Sequence, residues 1–313
     1  MVLWTPGEAR GWRRDQRLED IVRGVVTAAG RRYPEARPAD LALSLVVPCG
    51  REPAGFSHRG NAPGYPASLV KVFFMVAVHA WLQAGKLLRS HELEAALAAM
   101  IGSSSNDATA YIVDLLTATT SGPALDPPAL RRWLGRRQAV NRYFAGWRRP
   151  ELAGINLAQK TWYEAPYGRE RQSCYEVPDN RNRLTSDAVA CLLLAIASGE
   201  AVGRRRSAAM LELLARSPGT ADKGNPWNQV TGFLGEGLPA GAKLWSKAGW
   251  SSRTRHDSAI VELASGARFI LVAMTFGRKL AENRRLLPFI AREVAQGVEK
   301  LHEARPHSQP VEG

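Results

Sequence analysis

Cysteine is scarce, with only Cys49, Cys174 and Cys191 in 313 residues. The count is odd and no Cys-x-x-Cys pair occurs. That argues against a disulfide framework and a structural zinc site. Long apolar runs are missing too. No stretch approaches the roughly eighteen apolar residues of a membrane helix, so no membrane span is expected. The opening MVLWTPGEARGWRRDQRLED holds no apolar stretch long enough for a secretory leader, and charges begin at Glu8. As written, the chain is expected in the cytoplasm; a leader absent from the sequence would make it periplasmic or secreted. There is no internal repeat and no long low-complexity tract.

Acidic residues are few, 29 Asp and Glu against 42 Lys and Arg, for a net charge of +13. Arginines come in the doublets Arg131-Arg132, Arg136-Arg137 and Arg148-Arg149 and in the triplet Arg204 to Arg206. Such an excess suits nucleic acid or an anionic envelope polymer. The arginines form no single stripe with interleaved aromatics, however. A solvated surface is the favoured reading, and no nucleic-acid partner is expected.

What is present is a globular chain long enough for one large domain or two intimately packed ones. Apolar spacing from Arg17 to Arg31 predicts a helix, with Gly30 as a stop signal. LALSLVV, residues 41–47, reads as a buried strand, and GFSHRG as its hairpin partner after a turn near Cys49 to Pro53. Ser68 to Gln83 is apolar nearly all round and should be a buried helix. Amphipathic helices are expected over 91–100 and 107–116, and a capped helix over 185–198. Between Thr117 and Asn182 the pattern breaks down into long loops or irregular helices. AKLWSKAGW reads as a strand. SAIVELASGARFILVAMTF reads as two strands joined at Ser265-Gly266, and 286–301 as a closing helix. The last ten or so residues are expected to be disordered. Strands at both ends and helices between them predict an α/β (α+β) fold: an antiparallel sheet flanked by helices, plus an all-helical lobe. The sheet lobe would comprise residues 1–66 and 205–313, and the helical lobe 67–204. A cleft is expected where they meet.

YPASLVKVFF places Ser68 and Lys71 three residues apart at the start of the buried helix, on one face. One reading is a helix that lets Lys71 reach water by its long stem. The other is a nucleophile with its base. An apolar setting disfavours the charged amine, so a neutral Lys71 can take a proton from Ser68. The helix N-terminus suits an oxyanion. Two further segments bear on the choice. IGSSSNDATAYIV supplies Ser104-Ser105-Asn106 before a helix, and LWSKAGW supplies Lys247-Ala248-Gly249 on a strand.

Ser-x-x-Lys, Ser-x-Asn and Lys-x-Gly, in that order and in helix, loop and strand context, resemble the penicillin-recognising serine enzymes, closest to class A β-lactamases. The resemblance runs from about Arg17 to Leu301, and SSNDAT is similar to a stretch of some D,D-carboxypeptidases. It implies a β-lactamase-like fold and a serine hydrolase working through an acyl-enzyme on an amide or β-lactam. Ser68 would be the nucleophile, Lys71 its base and Ser104 the relay to the leaving nitrogen. Asn106 would bind a substrate carbonyl, and Lys247 would supply charge near Ser104 and a substrate carboxylate. The N–H groups of Ser68 and Trp250, beside Gly249, would form the oxyanion hole. The Ω-loop glutamate that activates the deacylating water would be Glu164 in KTWYEAPYGRERQ, with Glu170 next in line. A D,D-peptidase, an esterase or amidase, or a binding protein that does not turn over would share these features.

Departures are visible as well. Ala248 removes the hydroxyl of Lys-Thr-Gly, and Ser105 stands in the middle of the Ser-Asp-Asn motif. Glu164 is followed by Ala-Pro, with no asparagine four residues on. Arg253 and Arg255 are candidate replacements for the missing carboxylate anchor through a bidentate contact. Tyr65 and Trp162 are candidate cleft walls. His79 is expected to be a packed histidine, and His256 has no role assigned. The expected partner is a small-molecule substrate, with no cofactor or metal, acting on a monomer.

Overall fold

The computed structural model describes residues 11–48, 52–218 and 228–304. Cys49, part of the turn after Val47 and the chain's two ends lie outside them. Helix α1 (Gln16–Arg32) begins where the Asp15 carboxylate accepts the Arg17 N–H, and it buries Leu18, Val22, Val25, Val26 and Ala29 along one face. The strands β1 (Arg13–Arg14), β2 (Leu41–Val47), β3 (Ala54–His58), β4 (Ala215–Arg216), β5 (Lys243–Ser251), β6 (Thr254–Glu262) and β7 (Arg268–Phe276) form one sheet in the order β1-β3-β2-β7-β6-β5-β4. All pairs are antiparallel except β1 with β3. The expected antiparallel sheet thus carries one short parallel strand at its edge. A parallel pair needs a crossover between its strands, and α1 lies on the connection that leads back through β2.

β6 and β7 are buried along nearly their whole length rather than at alternate positions. Both faces are covered, and alternation disappears when neither face meets water. On one face α1 and α11 (Leu286–Glu303) close a core with Leu43, Leu45, Phe269 and Leu271. On the other, a larger core joins the sheet to α2 (Val70–Gln83), α3 (His91–Gly102), α4 (Asn106–Thr117) and α8 (Ser186–Ala197). Phe73 of α2 meets Phe144 edge-on at 5.1 Å between centroids, and Phe144 in turn packs on Trp147.

Residues 117–182 are more regular than expected. They hold α5 (Pro127–Arg137), α6 (Ala139–Ala145) and α7 (Gly168–Tyr175). The start of α5 was written plainly: Asp126 accepts the Ala129 N–H, and Pro127 follows as the first helical residue. The Arg204 triplet opens α9 (Arg204–Leu214), which packs on α3 and α8. The chain rejoins the sheet at Ala215. Among the described residues no helix is long and apolar enough to cross a membrane.

Candidate active site

Ser68 sits in a 3-10 turn, Ala67–Leu69, that runs directly into α2. The preceding Ala67 has φ +46°, a left-handed conformation that costs a non-glycine residue about 1–3 kcal/mol. The turn is held from the sheet. Lys247 and Gly249 share one face of β5, because alternate residues of a strand point the same way. At Gly249 a side chain would stand 2.9 Å from the Ser68 nitrogen and 3.0 Å from the Leu69 nitrogen and the Pro66 oxygen. Only glycine lets the strand lie this close to the nucleophile turn.

Opposite Gly249 in the ladder is His256. Its ring is fully buried, and its Nδ1 accepts the Thr275 N–H at 3.0 Å. That bond fixes the tautomer. The proton is on Nε2, which donates to the Tyr65 carbonyl at 3.0 Å. Burial pushes the imidazole down to about 4, so it stays neutral near pH 7. The residue without a role in the sequence thus ties the chain three residues before Ser68 to β7. In His256→Asn the amide oxygen can still accept from Thr275, but the side chain is too short for Tyr65. Covalent labelling at Ser68 is expected to slow about tenfold to a hundredfold, because small misplacements of a nucleophile cost that much, and Tm should fall modestly, because the Tyr65 carbonyl loses its donor. An unchanged labelling rate would show that the turn holds itself.

Lys71 is fully buried, and burial brings its amine down to about 7. Its Nζ donates to the Ser104 carbonyl at 2.6 Å, Asn106 Oδ1 at 2.8 Å and Ser104 Oγ at 3.2 Å. The stem does not reach water. Helical spacing puts Lys71 beside Ser68, but among the described residues Ser68 Oγ has no hydrogen-bond partner; the amine is engaged with the loop instead. Ser104 is left-handed, at φ +59°. Lys71 bonds to both of its oxygens and Lys247 to its hydroxyl at 3.0 Å, which pins the strained residue. Ser105 caps α4, its Oγ accepting the Ala108 N–H at 3.1 Å. Serine in the middle of the motif therefore does what an aspartate does at such a helix start.

Lys247 is fully buried. Burial, together with repulsion from Lys71 and Arg216, holds it well below the usual lysine range. Its Nζ donates to Gln229 Oε1 at 2.6 Å and to the Ala248 carbonyl at 2.7 Å. Gln229 had gone unnoticed in the sequence. Its Oε1 also accepts the Ala248 N–H, and its Nε2 donates to the Ile101 and Gly102 carbonyls at the end of α3. A lone glutamine carries no local signal of such a bridge. Asp257, fully buried, is the carboxylate that acts on Lys247. Its own acid is pushed up to about 7 by burial, against the Leu234 and Ser258 N–H groups that bond it.

Four expected residues lie elsewhere. Arg255 pairs with Trp250, on the face of β6 opposite His256. Its Nε donates to the Ala281 carbonyl and its guanidinium stacks on Phe233 at 4.7 Å. It faces the terminal-helix core rather than the nucleophile. Arg253 is exposed in the β5–β6 turn. Glu164 is exposed on the loop before α7 and makes none of the contacts that define the cluster. Glu170, the second candidate, is buried in an ion cluster with Arg137, Lys160 and Ser121. Arg137 and Lys160 also bind Asp114, eight residues along α4 from Asn106, which is about 12 Å of helix. Tyr65 is 38% exposed, beneath the Arg181 guanidinium at 5.7 Å, as a cleft wall would be. Trp162 is partly exposed.

Three segments distant in sequence thus converge on Ser104, with two buried lysines and the nucleophile turn beside it. The model of the beta-lactamase enzyme family matches residues 42–298. Among solved structures, the beta-lactamase of Sphaerobacter thermophilus is 21% identical with a TM-score of 0.62, over 89% of this chain and 97% of that one. PBP-A is 18% identical with a TM-score of 0.63, over 93% and 99%. A beta lactamase from Burkholderia vietnamiensis is 16% identical with a TM-score of 0.58, over 87% and 94%. At these identities the shared property is the fold. No curated protein matches the chain.

Proposed function

The chain belongs to the beta-lactamase enzyme family, and from that premise we propose that it is a serine hydrolase that opens an amide or β-lactam bond through an acyl-enzyme on Ser68. The observation that carries this reading is Lys71, buried, poised near neutrality and joined to Ser104, which also receives Lys247. In the proposed reaction, neutral Lys71 takes the Ser68 proton as Oγ attacks the carbonyl carbon. The oxyanion is met by the N–H groups of Ser68 and Trp250. The C–N bond breaks as the proton passes from Lys71 through the Ser104 hydroxyl to the leaving nitrogen. Asn106 Oδ1 accepts from Lys71 Nζ, which leaves its amide N–H groups for a substrate carbonyl. Burial holds the Lys247 amine low, and an anionic substrate group beside it would favour its charged form.

Acylation should follow the titration of Lys71. Its amine is lowered from 10.5 to about 7, so the neutral form grows as pH rises through 7 and is lost below it. The acylation rate constant is expected to rise about ninetyfold between pH 5 and pH 8 and then level off. A flat profile measured by stopped flow would mean that Lys71 is not the base.

A second reading is favoured by one observation. Neither Glu164 nor Glu170 joins the hydrogen bonds around Lys71, so water has no carboxylate partner there among the described residues. A D,D-peptidase or a penicillin-binding protein that keeps its acyl group fits that arrangement. A point mutant of PBP-A has been solved as an acyl-enzyme complex with penicillin G. Intact-mass spectrometry with a penicillin and with a fluorophosphonate, followed over time, separates the readings. A transient adduct means turnover, a lasting one means a poor deacylator, and no adduct with either reagent overturns the hydrolase.

A further inference from the structure

Helix α9 carries its charges against its own dipole. A helix N-terminus is partly positive and favours acidic residues, while the C-terminal end favours basic ones. The first turn of α9 is Arg204-Arg205-Arg206, with no acidic residue and no capping side chain, and Glu212 sits near the other end. Arg206 is lowered by burial and then by repulsion from Arg205 and Arg89. Arg89 has Glu94 as a partner; among the described residues Arg205 forms no ion pair. Arg206 Nε donates to the neutral Gln83 Oε1 at 3.5 Å, so among the described residues the triplet has no carboxylate in ion-pair contact.

The charge opens on a cavity. Residues from α2, α3, α9 and the turn before α3 border about 630 Å³; Arg89, Arg205 and Arg206 outnumber Glu94 and Glu212 in its wall, and leucines come from all three helices, among them Leu82, Leu97 and Leu213. That volume falls in the range of small-molecule sites. His79 of α2 lines the same cavity. It is 5% exposed, and neither ring nitrogen has a hydrogen-bond partner among the described residues. A buried imidazole without partners is costly and needs an explanation. Burial, with Arg206 adding to it, holds its proton affinity at about 4, so the ring is neutral and still has one N–H to give.

We propose that this cavity is a second small-molecule site, separate from Ser68, that takes an amphiphilic anion: a carboxylate or phosphate head on a single alkyl chain. The head belongs at the arginine end, where it relieves the repulsion and accepts from Arg205 and Arg206. The chain runs toward Leu213, seven residues and about 10 Å further along α9. Glu212 at that end repels an anion and so sets the direction. A bare anion would leave the leucines wet, and a neutral alkyl group would leave the arginines as they are.

Calorimetric titration of the whole protein with octyl phosphate, inorganic phosphate and octanol tests this. Octyl phosphate is expected to bind with one-to-one stoichiometry, at least about tenfold more tightly than either of the others. The double variant Arg205→Glu/Arg206→Glu should lose that binding by tenfold or more, while its Tm rises, because acidic residues now complement the helix dipole. Both positions border solvent, so folding is retained. The His79 ring resonances should shift with octyl phosphate in the wild type and stay in place in the double variant. No binding of octyl phosphate, or binding untouched by the charge reversal, overturns the site. Equal binding of octanol overturns the anion head, and equal binding of inorganic phosphate overturns the chain. None of these readouts passes through Ser68.

Discussion

Ser68→Ala is expected to abolish covalent labelling by penicillins and fluorophosphonates and to lower any hydrolytic kcat/KM by about five orders of magnitude. Removal of the nucleophile from a serine hydrolase costs on that scale, because the remaining groups lose the bond they were placed to assist. Among the described residues no second serine has an equivalent setting. The hydroxyl that Lys71 does reach, Ser104, already receives both Lys71 and Lys247 and does not start a helix. The fold should be untouched, since Ser68 is partly exposed and its hydroxyl bonds to nothing among the described residues. Labelling is read by intact mass, and its position by peptide mapping. An adduct that survives Ser68→Ala would move the nucleophile elsewhere and end the proposed mechanism.

Much of this site was legible from local spacing. Ser68 and Lys71 are three apart on a helix, and Lys247 and Gly249 are two apart on a strand, so periodicity alone places each pair on one face. The ladder partners were not legible. His256 meets Tyr65 and faces Gly249 only once β5 and β6 pair in register. A shift of one residue would have sent Arg255 to the nucleophile in its place. That one-residue parity is why Arg255 looked like an anchor in the sequence and lies on the far face in the structure. Gln229 was hidden for a related reason: its four bonds go to α3 and β5, more than a hundred residues away in the first case. In 117–182 the sequence misled differently. Arg137 read as a solvated charge and Glu170 as the second candidate for the catalytic carboxylate, but both are buried, with Lys160, in one ion cluster. Periodicity counts such residues as polar and breaks at each one.

The same burial sets the expectation for deacylation. A penicillin should acylate Ser68 with one equivalent and then leave slowly, at least about a hundredfold more slowly than it entered, since a water without an orienting base loses on that order. Glu164→Gln is expected to change neither rate, because that side chain stands exposed on its loop. Glu170→Gln is expected to leave the ratio of the two rates alone and to lower stability. Replacing the carboxylate leaves Arg137, with no exposed surface, short of its counter-charge, and breaking a buried ion pair from one side costs about 3–5 kcal/mol. Arg137→Ala should show a loss of similar size, which a catalytic carboxylate would not require of its partner. Stopped-flow hydrolysis of a chromogenic cephalosporin, run beside thermal denaturation, separates these effects. Rapid wild-type turnover that collapses in Glu164→Gln with Tm unchanged would mean that the loop before α7 folds over Ser68 once substrate is bound. Glu164 would then be the deacylating base.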